Sequence, residues 1–470
     1  MLSNGRTALA FIKCTAMEIK QWEDKNLAHY SYGILSDDEK ELVLIDPARD
    51  PHPYLEYAKK NAATITAIIE THPHADFVSG HLELMQRTGA GIYTHSLVAA
   101  AYPHEIFDEG SRLVLGKIVL TSIYTPGHSA DSISILLEYD GKQKAVFTGD
   151  TLFIGDCGRP DLREGTGNIQ SKREDLARQM YHSLREKLMV LDDDVLVYPA
   201  HGAGTLCGKS LSDENSSTIG REKQTNWSLQ DATEDEFVSN LLTDQPFVPA
   251  YFPYNVEVNR KGAAGIAESV SSIPVTAKLN DGQLAALDAS TWIIDARDKR
   301  AFKQGHLPHS INLGEDGKFE TWLGSIIPPG EHFYLAAESE RQLYRVFRRI
   351  AAIGYEPQIK QAFVLTSGPI KEAKLNVSEF SDNTDAYTII DVRNDSEVKQ
   401  GKPFPTSIAI PLHELRQKIA TIPTNKPVVV HCTGGYRSAA ASSLIGSALP
   451  QTTPVYDLSE DITRFMEMFT

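Results

Sequence analysis

An α/β protein of several domains is what the sequence predicts, on three observations. Short β-branched runs that stop at Gly, Pro, Asp or His fill the first half. A proline-rich stretch near residue 250 interrupts them. Beyond it, a strand-like segment running into Asp-X-Arg occurs twice. A chain of 470 residues is also too long for one core, since domains usually run to roughly 50–200 residues.

In the first half the buried-strand candidates are Glu41–Asp46, Ile65–Glu70, Lys117–Tyr124, Lys144–Phe147 and Val195–Tyr198, and Asp175–Leu188 has helical spacing. Residues 244–253 hold three prolines, which fix φ and remove donors, so they read as an extended connector whose aromatics pack on a neighbour. Trp292–Arg297 then matches Tyr387–Arg393, and each is followed by a second apolar run, Phe333–Leu335 and Val428–His431. The expected domains are 1–245, 268–366 and 370–470, with 246–267 as connector.

Composition narrows the function. A net charge of −16 leaves no basic surface for phosphate neutralisation, so nucleic acid is not an expected partner. No apolar run approaches the ~18–20 residues of a membrane span. Ala8–Ile12 is shorter than a secretory apolar region, so the structured chain is expected to begin near Met17. Cys14, Cys157, Cys207 and Cys432 are too few for a disulfide scaffold, which points to a reducing, cytoplasmic setting.

Chemistry-bearing residues sit just past strand ends. Thr71-His72-Pro73-His74-Ala75-Asp76 follows one strand, and Thr125-Pro126-Gly127-His128 follows another. Asp150 closes Phe147–Gly149, and His201 closes Tyr198–Ala200. A lone His is usually structural. Four such placements, with carboxylates interleaved, point instead to a metal site at one sheet edge.

These ordered motifs resemble those of the metallo-β-lactamase superfamily. The resemblance implies an αββα sandwich over most of residues 17–242. Dinuclear zinc hydrolases of that superfamily, such as glyoxalase II, place a His directly after the Asp, where this chain has Phe77. A phenyl ring cannot ligate, so the second site should be absent or weakened. His72, His128 and Asp150 remain for one metal, the two-imidazole, one-carboxylate set suited to non-haem Fe(II). Persulfide dioxygenases of the superfamily use that triad. The resemblance therefore implies one Fe(II) per chain, with zinc able to occupy the site during expression, and a thiol persulfide (of glutathione or coenzyme A, for example) and O2 as substrates. His74, Asp76 and His201 become supporting or substrate-facing groups. Gly155–Asp161 is similar to a segment in which an Arg holds the substrate carboxylate, which makes Arg159 a candidate beside the bland reading of a loop salt bridge. Tyr198 is a further candidate contact. Cys157 reads equally as a packed residue, and Cys207 as a packed residue or a pocket neighbour.

The most specific motif is Val428–His431 followed by Cys432-Thr433-Gly434-Gly435-Tyr436-Arg437-Ser438 and an Ala/Ser-rich helix. Loop amides, a helix N-terminus and Arg437 would all favour a thiolate. The segment resembles the rhodanese loop, and Asp391-Val392-Arg393 resembles that family's upstream motif. Aligning the repeats puts Ala337 where Cys432 stands, so the middle copy carries no persulfide on cysteine and reads as a scaffold or docking domain. The whole is an α/β architecture: an αββα sandwich followed by two α/β rhodanese-like domains, for which family resemblance suggests a dimer or tetramer. The expected activity is persulfide oxidation to sulfite coupled to sulfur transfer. A zinc thioester hydrolase of the glyoxalase II type is the alternative, and a non-catalytic sulfur-carrier binder is a third reading.

Overall fold

The apolar runs of the first half pair into two six-stranded sheets. The computed structural model describes residues 17–36, 40–162, 172–450 and 452–466; Ala8–Ile12 and Cys14 lie outside them. The first sheet runs Glu18–Asp24, His29–Leu35, Glu41–Ile45, Thr64–Ile69, Gly91–Thr94, Glu105–Ile106. Its first three strands are antiparallel and the rest parallel. The second runs Ser217–Thr218, Leu196–Pro199, Lys142–Gly149, Ile133–Tyr139, Ile118–Tyr124, Arg112–Leu115, and only Lys142–Gly149 and Leu196–Pro199 pair in parallel.

Alternate residues of both sheets meet in one core, with Tyr32, Val43, Ile45 and Ile69 facing Leu120, Ile133, Ile135 and Phe147. Such burial stabilises by roughly 1.5–3 kcal/mol per large side chain. Helices cover the outer faces: His52–Lys60 and His81–Thr88 on one, Arg173–His182 and Glu234–Leu242 on the other. This is the αββα sandwich. Among the described residues, no helix is long and apolar enough to cross a membrane.

Residues 245–249 carry no helix or strand, as the extended reading expects, and Phe247 stacks on Trp322 and His413 at 5.6 and 4.0 Å; the connector beyond Tyr251 turns helical instead. Phe252–Lys261 is a helix, with Pro253 in its first turn where a missing N–H costs nothing. It lies against the metal-binding domain rather than spanning a gap. Asn259 accepts from Ser79 N–H at 2.8 Å and donates to the carbonyls of His74 and Phe77, both at 2.8 Å.

Two parallel sheets follow. The middle one is ordered Val275–Thr276, Ile359–Val364, Phe333–Ala337, Ile293–Asp295, Ser310–Asn312. The last is ordered Ile408–Ala409, Thr388–Asp391, Val428–His431, Val455–Asp457. The repeat holds at atomic detail. Arg297 grips Asp295 and the Gly305 carbonyl, at 2.6 and 2.9 Å, and Arg393 grips Asp391 and the Gly401 carbonyl at 2.7 and 2.8 Å. Strand register gives the equivalence independently. Asp295 pairs with Ala336 as Asp391 pairs with His431, so Ala337 occupies the place of Cys432.

Candidate metal centre and cysteine loop

Four strand ends deliver the metal-binding cluster. Thr64–Ile69 leads to His72, Ile118–Tyr124 to His128, Lys142–Gly149 to Asp150, and Leu196–Pro199 to His201. One ligand atom each from His72, His128 and Asp150 lies within 4.8 Å of the others, and all three residues are buried. Asp150 Oδ2 stands 3.8 Å from His72 Nε2 and 3.5 Å from His128 Nε2.

Their outer atoms are fixed by neighbours. His128 Nδ1 bonds the Arg159 carbonyl at 2.9 Å, His72 Nδ1 the Thr71 hydroxyl at 3.1 Å, and His201 Nδ1 bonds Asp150 Oδ1 at 2.7 Å. The His72 and His128 imidazoles are thus oriented through Nδ1 with Nε2 on the side of Asp150 Oδ2, as metal-ligating His requires, whereas His201 spans Asp150 and Asp76. Asp150 Oδ2 accepts no hydrogen bond from the described residues. A buried carboxylate oxygen between two imidazoles fits a divalent transition metal.

Burial opposes charge on Asp150, but His201, then His128 and His72, hold its carboxyl well below the usual carboxylate range. Burial likewise opposes the His201 cation, yet Asp150 and Asp76 hold it well above the ordinary imidazole range.

A second group lies alongside: His74, Asp76 and His201 also bring ligand atoms within 4.8 Å. His201 Nε2 is 2.9 Å from Asp76 Oδ2, and His74 Nε2 is 3.2 Å from Asp46 Oδ1. Phe77 is buried with its ring 3.9 Å from that of His29 and 4.4 Å from that of His74. An apolar ring therefore fills the flank of this group and contributes no donor.

Two candidates have partners within the protein. Arg159 is buried, and its Nε and Nη2 each meet an Asp161 carboxylate oxygen at 2.6 Å. This is the loop salt bridge; a substrate carboxylate would have to displace Asp161, while the Arg159 carbonyl serves by orienting His128. Tyr198 turns its ring into the inter-sheet core, stacked on Phe147 at 5.5 Å. Cys157 packs in the core beneath the second sheet, where burial and then Asp156 push its thiol well up. Cys207 stands with Asp150 and His201, and burial, Asp76 and Asp150 push its thiol well up too.

Gly158 lets this loop pass the ligand. A Cβ there would lie 1.9 Å from the Asp150 carbonyl oxygen and 3.1 Å from His128 Nδ1. Gly158→Ala should therefore displace two ligands and weaken metal binding by about 10–100-fold, the usual cost of disturbing a ligand's support. Metal content of the purified variant checks this, and full occupancy would show that the loop yields instead.

The cysteine loop follows Val428–His431. Gly435, at φ +90°, donates its N–H to Cys432 Sγ at 3.1 Å, and the Ser438 hydroxyl lies 3.7 Å from the sulfur. Only glycine adopts that φ without strain. Arg437 sits at the loop's end but is clamped by Glu397 at 2.5 and 2.8 Å, and Thr433 Oγ1 donates to Glu397 at 2.9 Å. Burial opposes the Glu397 charge, but Arg437 holds its carboxyl down to about 2. Arg437 thus braces the loop more than it charges it. A cavity of about 380 Å³ opens beside Thr433, lined by Arg393, Glu397 and Lys402. In the middle domain the helix starts at Glu340, so the loop after Ala337 is shorter as well as Cys-less.

Sequence reasoning missed three members of the metal centre. Asp46, at φ +49°, accepts from Thr71 N–H and Oγ1 at 2.7 and 2.8 Å and fixes the His-bearing loop. Its strand-end position was a readable signal. His29 packs on Phe77, and Asn259 arrives from the connector; neither carries a local motif.

The model of the metallo-beta-lactamase superfamily matches residues 27–201, and that of the rhodanese-like domain matches 276–368 and 376–467. Hydroxyacylglutathione hydrolase of Francisella tularensis subsp. novicida (strain U112) is 33% identical over 192 residues, 39% of this chain and 68% of that protein. A metallo-beta-lactamase structure from Staphylococcus aureus subsp. aureus COL superposes with a TM-score of 0.65 at 31% identity, over 74% of this chain and 99% of that one. The structure of ETHE1 from Myxococcus xanthus gives a TM-score of 0.45 at 28% identity, over 52% and 98%. Catalytic families in series indicate an enzyme, and the fold with its buried His/Asp clusters indicates a bound metal. The chain belongs to the metallo-β-lactamase superfamily, and two rhodanese-like domains follow its metal-binding domain.

Proposed function

We propose that the metal domain is an iron-dependent dioxygenase for low-molecular-weight thiol persulfides, and that Cys432 transfers sulfane sulfur to or from the same pool. The observation that carries this reading is the convergent set His72, His128 and Asp150, with the apolar ring of Phe77 packed on His74 in the neighbouring group, where a second metal would need a donor. Ferrous iron bound there would supply open positions at which persulfide sulfur and O2 meet. The chain's own groups hold the geometry: Thr71 and the Arg159 carbonyl orient the imidazoles, and His201 holds Asp150.

In the overall reaction one persulfide, one O2 and one water give the parent thiol and sulfurous acid. At the second centre the Cys432 persulfide and sulfite give thiosulfate and the free thiol. Gly435 N–H, already 3.1 Å from Sγ, stabilises the thiolate that leaves.

A zinc thioester hydrolase is the second reading. The group His74, Asp76 and His201 and the likeness to hydroxyacylglutathione hydrolase favour it. O2 uptake by anaerobically iron-loaded protein with glutathione persulfide, against the zinc-loaded form, separates the two. Uptake with sulfite or thiosulfate from the iron form alone is the expected result. No uptake with glutathione or coenzyme A persulfide, together with thioester hydrolysis by the zinc form, would replace the dioxygenase with the hydrolase.

A further inference from the structure

Residues 314–318 of the Cys-less domain touch both centres. Tyr436, next to Gly435 in the cysteine loop, donates its hydroxyl to the Gly314 carbonyl at 2.9 Å. Its ring covers Gly317 so closely that a Cβ there would lie 2.1 Å from Cε2. The next residue, Lys318, donates to the carbonyl of Gly204, in the loop that joins His201 to Cys207. Arg349 keeps this stretch in place by donating to the carbonyls of Glu315 and Gly317 and to the Glu320 carboxylate. The helix Tyr436–Ala448 is docked on the same domain, with Ser443 Oγ accepting from Asn312 N–H at 3.0 Å.

We propose that residues 314–318 are a positioning element shared by the two centres: Gly314 and Gly317 set Tyr436 and so the Gly435 N–H on Cys432, while Lys318 sets the loop that carries His201. The charged groups around Cys432 make this mechanical rather than electrostatic. Arg437 is paired with Glu397, and Arg393 with Asp391. Lys299 of the Cys-less domain, which reaches Gly435, is paired with Glu460 at 2.5 Å. His431 is buried, and burial brings its imidazole down to about 4, so it is neutral near pH 7. Lys402, across the cavity, donates to the Ser407 carbonyl at 2.8 Å. With Arg437, Arg393 and Lys299 each paired to a carboxylate, the aimed amide is the contact that reaches the Cys432 sulfur directly. A domain without its own cysteine thus retains a role in the chemistry of its neighbours.

The test needs no turnover, so its outcome is separable from that of the dioxygenase reading. Iodoacetamide alkylation of Cys432, followed by mass spectrometry across pH in the full-length protein, reads the cysteine loop. The visible absorption band of the cobalt(II)-loaded protein reads the metal loop. Gly317→Ala should move half-maximal alkylation up by about half a pH unit or more, because a hydrogen bond to the charged form is lost. Tyr436→Phe, which keeps the ring, should move it in the same direction by less. Lys318→Met should shift the cobalt band, and Lys318→Arg should restore it. Unchanged profiles in both Gly317→Ala and Tyr436→Phe, with melting temperatures as wild type, would overturn the cysteine half. An unchanged cobalt band in Lys318→Met would overturn the metal half.

Discussion

Asp150→Asn should lower metal affinity by at least ~100-fold, since even the outer partners of a ligand typically cost 10–100-fold. The substitution preserves volume in a fully buried site and removes the one charge that His72, His128 and His201 all face. It also leaves His201 with Asp76 as its remaining carboxylate partner, so the imidazolium loses the larger of the two charges that hold it. Metal content after dialysis and a competition titration against a chelator give the number. Sulfur transfer at Cys432 should stay within about 2-fold, because the Asp150 side chain faces His72, His128 and His201 and shares no partner with Cys432 or with residues 314–318. Wild-type metal affinity in this variant would move the centre to His74, Asp76 and His201.

Cys432→Ser should reduce thiosulfate-dependent sulfur transfer to cyanide by on the order of a thousandfold or more, the usual scale for deleting a nucleophile. A hydroxyl at this position still fits beside Ser438 and under the Gly435 amide, but it forms neither a thiolate nor a persulfide. Metal content and metal-dependent activity should be unchanged. Cys157 and Cys207 cannot substitute, because burial pushes both thiols well up, away from the thiolate. Retained transfer would mean that sulfur travels through another group.

What the sequence made legible was whatever the chain writes locally. Strand ends announced His72, His128, Asp150 and His201, and the Gly-rich turn announced Cys432, because each needs a particular residue type at a particular break in the pattern. The Asp-X-Arg repeat gave the Ala337–Cys432 equivalence that strand register bears out. What escaped depends on partners far along the chain. Glu397, which spends the charge of Arg437, lies 40 residues before it. Tyr198 looked available beside His201, but period-2 alternation turns it to the core face. The fork of Arg159 is filled by Asp161, two residues on, a pairing that its motif does not announce. The strand His29–Leu35 has no apolar alternation; both its faces are buried, and Tyr32 and Ser31 find hydrogen-bond partners in Pro199 and Tyr54. The helix Phe252–Lys261 hid behind Pro253 and the two prolines that precede it, Pro246 and Pro249.

That helix also sets an order of events during synthesis. Asn259 holds three backbone groups of the segment His74–Ser79, and it follows Ser79 by 180 residues. At ~5–20 residues per second, a ribosome takes roughly 10–40 s to cover that distance. Through that interval the loop that carries His72 and His74 lacks those three hydrogen bonds, while the second sheet and its helices, down to Leu242, are themselves being made. The connector is therefore the late-arriving latch of the metal centre, and a chain cut before it would display the ligands without the part that locks them.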